Sequence, residues 1–305
     1  MRSVCLGGAV ACEDAPGWHS LGGVDGVHGH SGRGHAGVSA VGSCHHSSAG
    51  DYHHGRTHND GGRPHDHDTA KPYARPEWLG TRLLPLRPDE FGEVLPTPPE
   101  LQNRQFETLD LLSPPVDDQF SWTIDSIPPD VLARSTWTDE CPVTLDELSY
   151  ITVSHWGFDQ KYHTGEMIVN AAWADDVVGV FRKLHAARFP IEQMRVIRQE
   201  EVDAHPTGDF NETTSFVCRP AVGSGSWSRH AYGLAIDINP FHNPYLKGDL
   251  VLPELASFYL DRSADYPGVI VDGSVAVEAF AEFGWTWGGD WNSLKDWMHF
   301  SDNGR

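Results

Sequence analysis

His230, Asp237 and His299 can hold one ion only if the last dozen residues of the chain fold back onto a segment that begins at Ser228. The first segment reads Ser228-Arg-His230-Ala-Tyr-Gly233-Leu-Ala235-Ile-Asp237, and the second Gly288-Gly-Asp-Trp-Asn-Ser-Leu-Lys-Asp296-Trp-Met-His299. Two imidazoles and one carboxylate make the ligand set of a catalytic zinc ion. A structural zinc site normally closes with a fourth protein ligand, often sulfur, whereas three ligands leave a position for water. Asp296 stands three residues before His299, so on one helical turn or in a tight turn the two side chains point the same way. Taken singly, each is an ordinary polar residue. Together they read as a zinc hydrolase with one Zn2+ per domain.

Local patterning agrees. Gly233 to Asn239 alternates strictly and reads as a strand, with Leu234, Ile236 and Ile238 toward a core and Ala235, Asp237 and Asn239 on the other face. Asp237 therefore emerges beside a small residue, with room for a metal. His230 is out of phase with it, and a bend at Gly233 would bring both to one ion. Leu145 to His155 reads as a strand, as do Met194 to Arg198 and Trp285 to Gly288. Asn170 is a fair N-cap for a helix over 171–188, whose apolar stripe is Trp173, Val177, Val180, Phe181 and Leu184. Ser274 to Phe283 reads as a second helix with Val275, Ala279 and Phe283 inward, ended by Gly284. Residues 199–229 lack periodicity and form a long loop that something must hold down. Strands and helices without βαβ alternation imply an α+β domain, its sheet mostly antiparallel and flanked by helices.

Composition divides the chain. Residues 1–70 are rich in Gly, His and Ser, carry eleven of the eighteen histidines, and hold too little apolar surface to offset the entropy of ordering them. They read as disordered; their histidines could load zinc or nickel, or have no function. Residues 71–130 are proline-rich and extended, either a linker or a segment wrapping the domain. Residues 131–305 suit one core. The formal net charge is −21, and residues 1–70 carry only four Lys/Arg and seven Asp/Glu of it. Such an acidic domain argues against nucleic acid and anionic lipid as partners, since both reward basic patches. No stretch approaches the twenty apolar residues of a membrane span, and Val4 to Ala11 is a poor secretory signal. Cys141 and Cys218 are either buried thiols or one disulfide; the bond would anchor the loop that carries Arg219.

The pattern S-x-H-x-x-G-x-A-x-D, followed by G-W-x-W-G-G-D-W and D-x-x-H, resembles the zinc peptidases of bacterial cell walls. That family includes D-alanyl-D-alanine carboxypeptidases, vancomycin-resistance D,D-peptidases and L-alanyl-D-glutamate endopeptidases. The resemblance runs from about Cys141 to Phe300, through Gly157-Phe158, Gly165 to Asn170, Phe189 to Glu192 and Asn239-Pro-Phe-His-Asn-Pro-Tyr245. It implies a hedgehog/DD-peptidase-like fold, a peptidoglycan stem-peptide substrate and work outside the cytoplasm. It implies Asp296 as general base, and Arg219 as the group that contacts substrate and stabilises the oxyanion, where a surface ion pair is the plainer reading. Ser228 either bonds substrate or turns the loop; Asp290 is either a support for a ligand histidine or a cap. Carboxypeptidase action is favoured because a free substrate carboxylate would give Arg219 a partner. The alternatives are L-Ala-D-Glu endopeptidase action, a non-catalytic zinc-containing binding module of the same fold, and metal storage in the histidine-rich tail.

Overall fold

β-Branched and aromatic residues run densely through 148–170, and in the computed structural model they form a long hairpin, β2 (Leu148–Trp156) and β3 (Tyr162–Asn170), with β1 (Trp122–Asp125) on its outer edge. The structure describes residues 74–304. The expected disorder of residues 1–70, and the histidines there, lie outside the described residues. The remaining elements are α1 (Pro129–Arg134), α2 (Ala174–Ala186), β4 (Gln193–Met194), α3 (Gln199–Val202), β5 (Glu212–Thr213), β6 (Ala235–Asp237), β7 (Tyr245–Lys247), β8 (Leu250–Leu252), α4 (Val275–Glu282), β9 (Thr286–Trp287), β10 (Lys295–Asp296) and β11 (His299–Ser301). The architecture is α+β. Three three-stranded antiparallel sheets, β1-β2-β3, β10-β7-β8 and β6-β11-β9, accompany a parallel pair, β4-β5.

The first helix follows its sequence signals. Asn170 accepts from Ala172 N at 3.1 Å and caps a 3-10 turn over Ala171–Trp173 that leads into α2. Val177, Val180, Phe181 and Leu184 are buried against Ile151, Val153, Met167 and Val169 of the hairpin. On α4 the inward face is rotated from expectation: Ala276, Ala279 and Phe280 are buried, while Val275 and Phe283 are half-buried. Phe280 stacks on Phe300 of β11 with ring centres 3.9 Å apart. Full burial of such a side chain contributes about 1.5–3 kcal/mol, so this contact ties α4 to the strand that carries His299.

Three readings of the sequence need correcting. The strand expected over 194–198 is only Gln193–Met194, because Val196 and Ile197 are both buried and do not alternate. The long loop over 199–229 contains α3 and β5. Strand β3, inside a stretch noted only for its family likeness, forms half of the main hairpin.

Residues 74–130 are not a bystander. Leu84, Leu101 and Phe106 pack with Phe241, Val251, Leu255 and Tyr259 in a second core. The fully buried Arg104 forks onto Glu192, both contacts at 2.7 Å, and donates to Asp209 O at 2.7 Å. Among the described residues no helix is long and apolar enough to cross a membrane.

Candidate metal centre

Strand β6 is short, and its neighbours fix it on both sides. Asp237 is the register partner of His299 on β11, and on its other edge it exchanges two backbone bonds with Thr214 (2.9 and 3.1 Å). His230 precedes it on a 3-10 turn, Arg229–Tyr232, rather than on the strand. That turn ends at Gly233, whose φ of +64° is left-handed. A Cβ there would meet Asn170 N at 2.6 Å, so only glycine permits both the turn and the close approach to β3.

The result brings the three expected ligands together. His230 Nε2 lies 3.2 Å from Asp237 Oδ2, and His299 Nδ1 lies 3.2 Å from Asp237 Oδ1. One ligand atom from each falls within 4.8 Å of the others. Donors bound about 2.1 Å from a common ion in tetrahedral array stand about 3.4 Å apart, close to the two 3.2 Å separations and inside that limit. Among the described residues no other trio of His, Cys, Asp or Glu could hold an ion. The other described histidines have structural surroundings, as with His163 between Asp110 (2.8 Å) and Asp159 (2.9 Å), or His242 against Arg104 O (2.8 Å).

One support was invisible in the sequence. His230 Nδ1 donates to the backbone carbonyl of Ser215 at 2.6 Å. A carbonyl can only accept, so the proton sits on Nδ1 and the Nε2 lone pair faces the cluster, the tautomer a metal requires. Asp290, the side chain considered for that duty, is exposed.

Asp296 ends β10 and His299 begins β11, with a turn at Trp297 and Met298 between them. Both carboxylates are half-buried at the cleft, and their proton affinities diverge. Burial opposes ionisation of Asp237, but the facing imidazoles of His230 and His299 overcome it and hold the group well below the usual carboxylate range. Burial pushes Asp296 up to about 7; His299 and Arg219 pull it down, and Asp237 adds to the rise. Its Oδ1 is buried without a hydrogen-bond partner. A cation at the neighbouring trio would draw this pKa down.

These residues border a cleft of about 940 Å³. Arg219 lines it, its Nη1 donating to Pro220 O at 3.1 Å. Its loop is held by a disulfide between Cys141 and Cys218, Cα atoms 5.9 Å apart, and by Ser228 N donating to Arg219 O at 3.1 Å. Of the two readings of the cysteines, the structure contains the bond. Ser228 Oγ accepts from His230 N at 3.3 Å, so it caps the turn that carries His230 while also lining the cleft. Of the four late tryptophans, Trp291 lines the cleft, its ring 5.4 Å from that of His299.

The family described as D-alanyl-D-alanine carboxypeptidase matches residues 222–302, a stretch that contains His230, Asp237, Asp296 and His299. Over that stretch, about a quarter of the chain, the sequence is similar to this family. Arg219 and the disulfide lie just outside the match, so their place beside the carboxypeptidase motif is known from the fold alone. No curated protein and no solved structure matches the chain at a significant level.

Proposed function

We propose that the chain is a zinc-dependent metallopeptidase that hydrolyses peptidoglycan stem peptides, of D-alanyl-D-alanine carboxypeptidase type. One observation carries this reading: Asp296 Oδ1 is buried and unpartnered next to a trio of side chains suited to zinc. A buried carboxylate oxygen left without a partner costs free energy, which a site has reason to bear only if the group acts there. Zinc held by His230, Asp237 and His299 would act as a Lewis acid on the scissile carbonyl and acidify a water. Asp296 takes a proton from the attacking water and delivers it to the leaving amine. Arg219 contributes a guanidinium toward the substrate, for an oxyanion or a free carboxylate. Ser228 holds the turn beneath His230 and faces the bound peptide.

The family match supports the peptidase class and its cell-wall substrate. The hedgehog/DD-peptidase-like arrangement is inferred from that match and the α+β architecture. A binding module of the same fold would have no use for Asp296. The disulfide favours work in an oxidising compartment, outside the cytoplasm. L-Ala-D-Glu endopeptidase action is the second reading, favoured by a cleft of about 940 Å³, roomier than a terminal dipeptide needs.

The test is incubation with purified muropeptides, with and without a chelator, followed by mass spectrometry. Loss of one alanine marks the carboxypeptidase and a cut between L-Ala and D-Glu the endopeptidase. Intact muropeptides in the presence of saturating zinc would overturn the reading.

A further inference from the structure

Tyr245 is the register partner of Asp296, across the ladder between β7 and β10. Antiparallel partners place their side chains on the same face of the sheet with Cβ atoms about 5 Å apart. The residue is 7% exposed. Its ring packs with Leu250 and Met298, and partly buried Phe91, Leu252 and Leu294 close around them. It borders the same cleft as Asp296 and His299.

What needs explaining is the hydroxyl. Buried tyrosines elsewhere in the fold are satisfied: Tyr150 donates to Glu166 Oε2 at 2.7 Å, and Tyr259 accepts from Arg104 N at 2.7 Å. The hydroxyl of Tyr245 has no hydrogen bond to any described residue. As core filler the ring alone would suffice, and the hydroxyl is left open to the cleft that the residue borders. Burial, with the charge of Asp296 nearby, raises the phenol's pKa. The group therefore stays protonated and offers a donor. A rigid ring anchored in a small core, with an uncommitted donor beside the acid/base carboxylate, is how a preorganised transition-state contact is built.

We propose that Tyr245 is a further catalytic residue whose hydroxyl donates a hydrogen bond to an oxygen of the bound peptide, beside the scissile bond on the side that Asp296 serves. The proposal rests on the peptidase reading above.

The experiment is Tyr245→Phe in the full chain, with kcat and KM on a muropeptide, zinc content, thermal melting, and affinity for a phosphinate analogue of the scissile dipeptide. Expected are unchanged zinc content, a melting temperature equal to or above wild type, a kcat lowered roughly 10–100-fold as for other transition-state donors, and weaker phosphinate binding. A variant with wild-type kcat, KM and phosphinate affinity would overturn the proposal alone. So would a variant that loses fold or zinc, since the hydroxyl would then be structural. A wild-type protein that neither cleaves muropeptides nor binds the phosphinate would overturn the peptidase reading, and this proposal with it.

Discussion

Gly288 lies flat against Asp296: a Cβ at position 288 would sit 2.6 Å from the Asp296 carbonyl oxygen, 3.0 Å from its Cβ and 3.3 Å from the Cβ of His299. The missing side chain is what lets Asp296 and His299, the proposed acid/base group and metal ligand, crowd against the 3-10 turn over Gly288–Asp290. A backbone oxygen cannot swing aside as a long side chain can. Gly288→Ala should therefore displace both groups and lower zinc affinity and kcat/KM together, kcat/KM by about 10²-fold if the shift approaches 1 Å. Chelator competition alongside kinetics would check this, and wild-type values in both would refute it.

Asp296 and His299 should separate by phenotype. Asp296→Asn removes proton transfer but no ligand, so zinc should stay while kcat drops by about 10²–10⁴. His299→Ala should lose the metal itself. If Asp296→Asn is the variant that loses zinc, the carboxylate is a ligand or supports one. Undiminished zinc in His299→Ala would dismantle the proposed trio.

The raised pKa of Asp296 predicts a pH signature in the metal-free protein. A carboxyl near 7 in the native state and near 3.8 when unfolded holds its proton longer in the folded chain. Its contribution is thus neutral below about pH 4 and becomes destabilising as pH climbs toward 7. Asp237 has the opposite sign, losing stability as pH falls, but it is common to wild type and variant. Metal-free Asp296→Asn should therefore match wild type near pH 4 and exceed it near pH 8, by a few kcal/mol at most given about 1.4 kcal/mol per unit. Denaturant melts at both pH values decide it, and an equal gap at both would count against the shift.

These tests also separate what the sequence expressed from what it hid. The meeting of His230, Asp237 and His299 was legible because each lies in a local pattern: alternation set the face of Asp237, and a glycine marked the turn after His230. Ser215 could not be found that way, since its contribution is a backbone carbonyl and any residue type supplies one. The pairing of Arg104 with Glu192 spans 88 positions and leaves no periodic trace. Tyr245 stood in the family-like stretch, but its role depends on an absent hydrogen bond, which only a fold reveals. The shortest strands, β4 and β10, hold two residues each, too few for alternation to register.

The Cys141–Cys218 bond closes 77 positions of chain, for which loop-closure entropy implies about 4 kcal/mol of stability in the chain-entropy model. It also fixes the residue next to Arg219. Replacing both cysteines by serine should lower the melting temperature and, at temperatures where the variant is still folded, raise KM more than it lowers zinc content. That split follows because the ligands sit on β6, β11 and the turn after Ser228, outside the bridged loop's edge. Loss of zinc without any change in KM would contradict it.

Residues 74–130 pack as part of the domain's core, which predicts where the folding unit begins. Their Leu84, Leu101 and Phe106 fill a core with Phe241, Leu255 and Tyr259, and Arg104 neutralises a Glu192 that is itself 1% exposed. Removing one partner of a buried ion pair strands the other and costs about 3–5 kcal/mol, before the lost apolar burial is added. A chain starting at residue 131 should therefore fail to fold, whereas one starting at residue 71 should keep its cooperative melt, its zinc and its activity. Contacts near the cleft argue the same way: Gly80 N donates to Asp209 Oδ2 at 2.8 Å, and His205 Nε2 meets Leu84 O at 2.6 Å. Circular dichroism melts and zinc analysis of the two truncations would decide, and a stable, zinc-loaded chain starting at residue 131 would show that the early segment is dispensable.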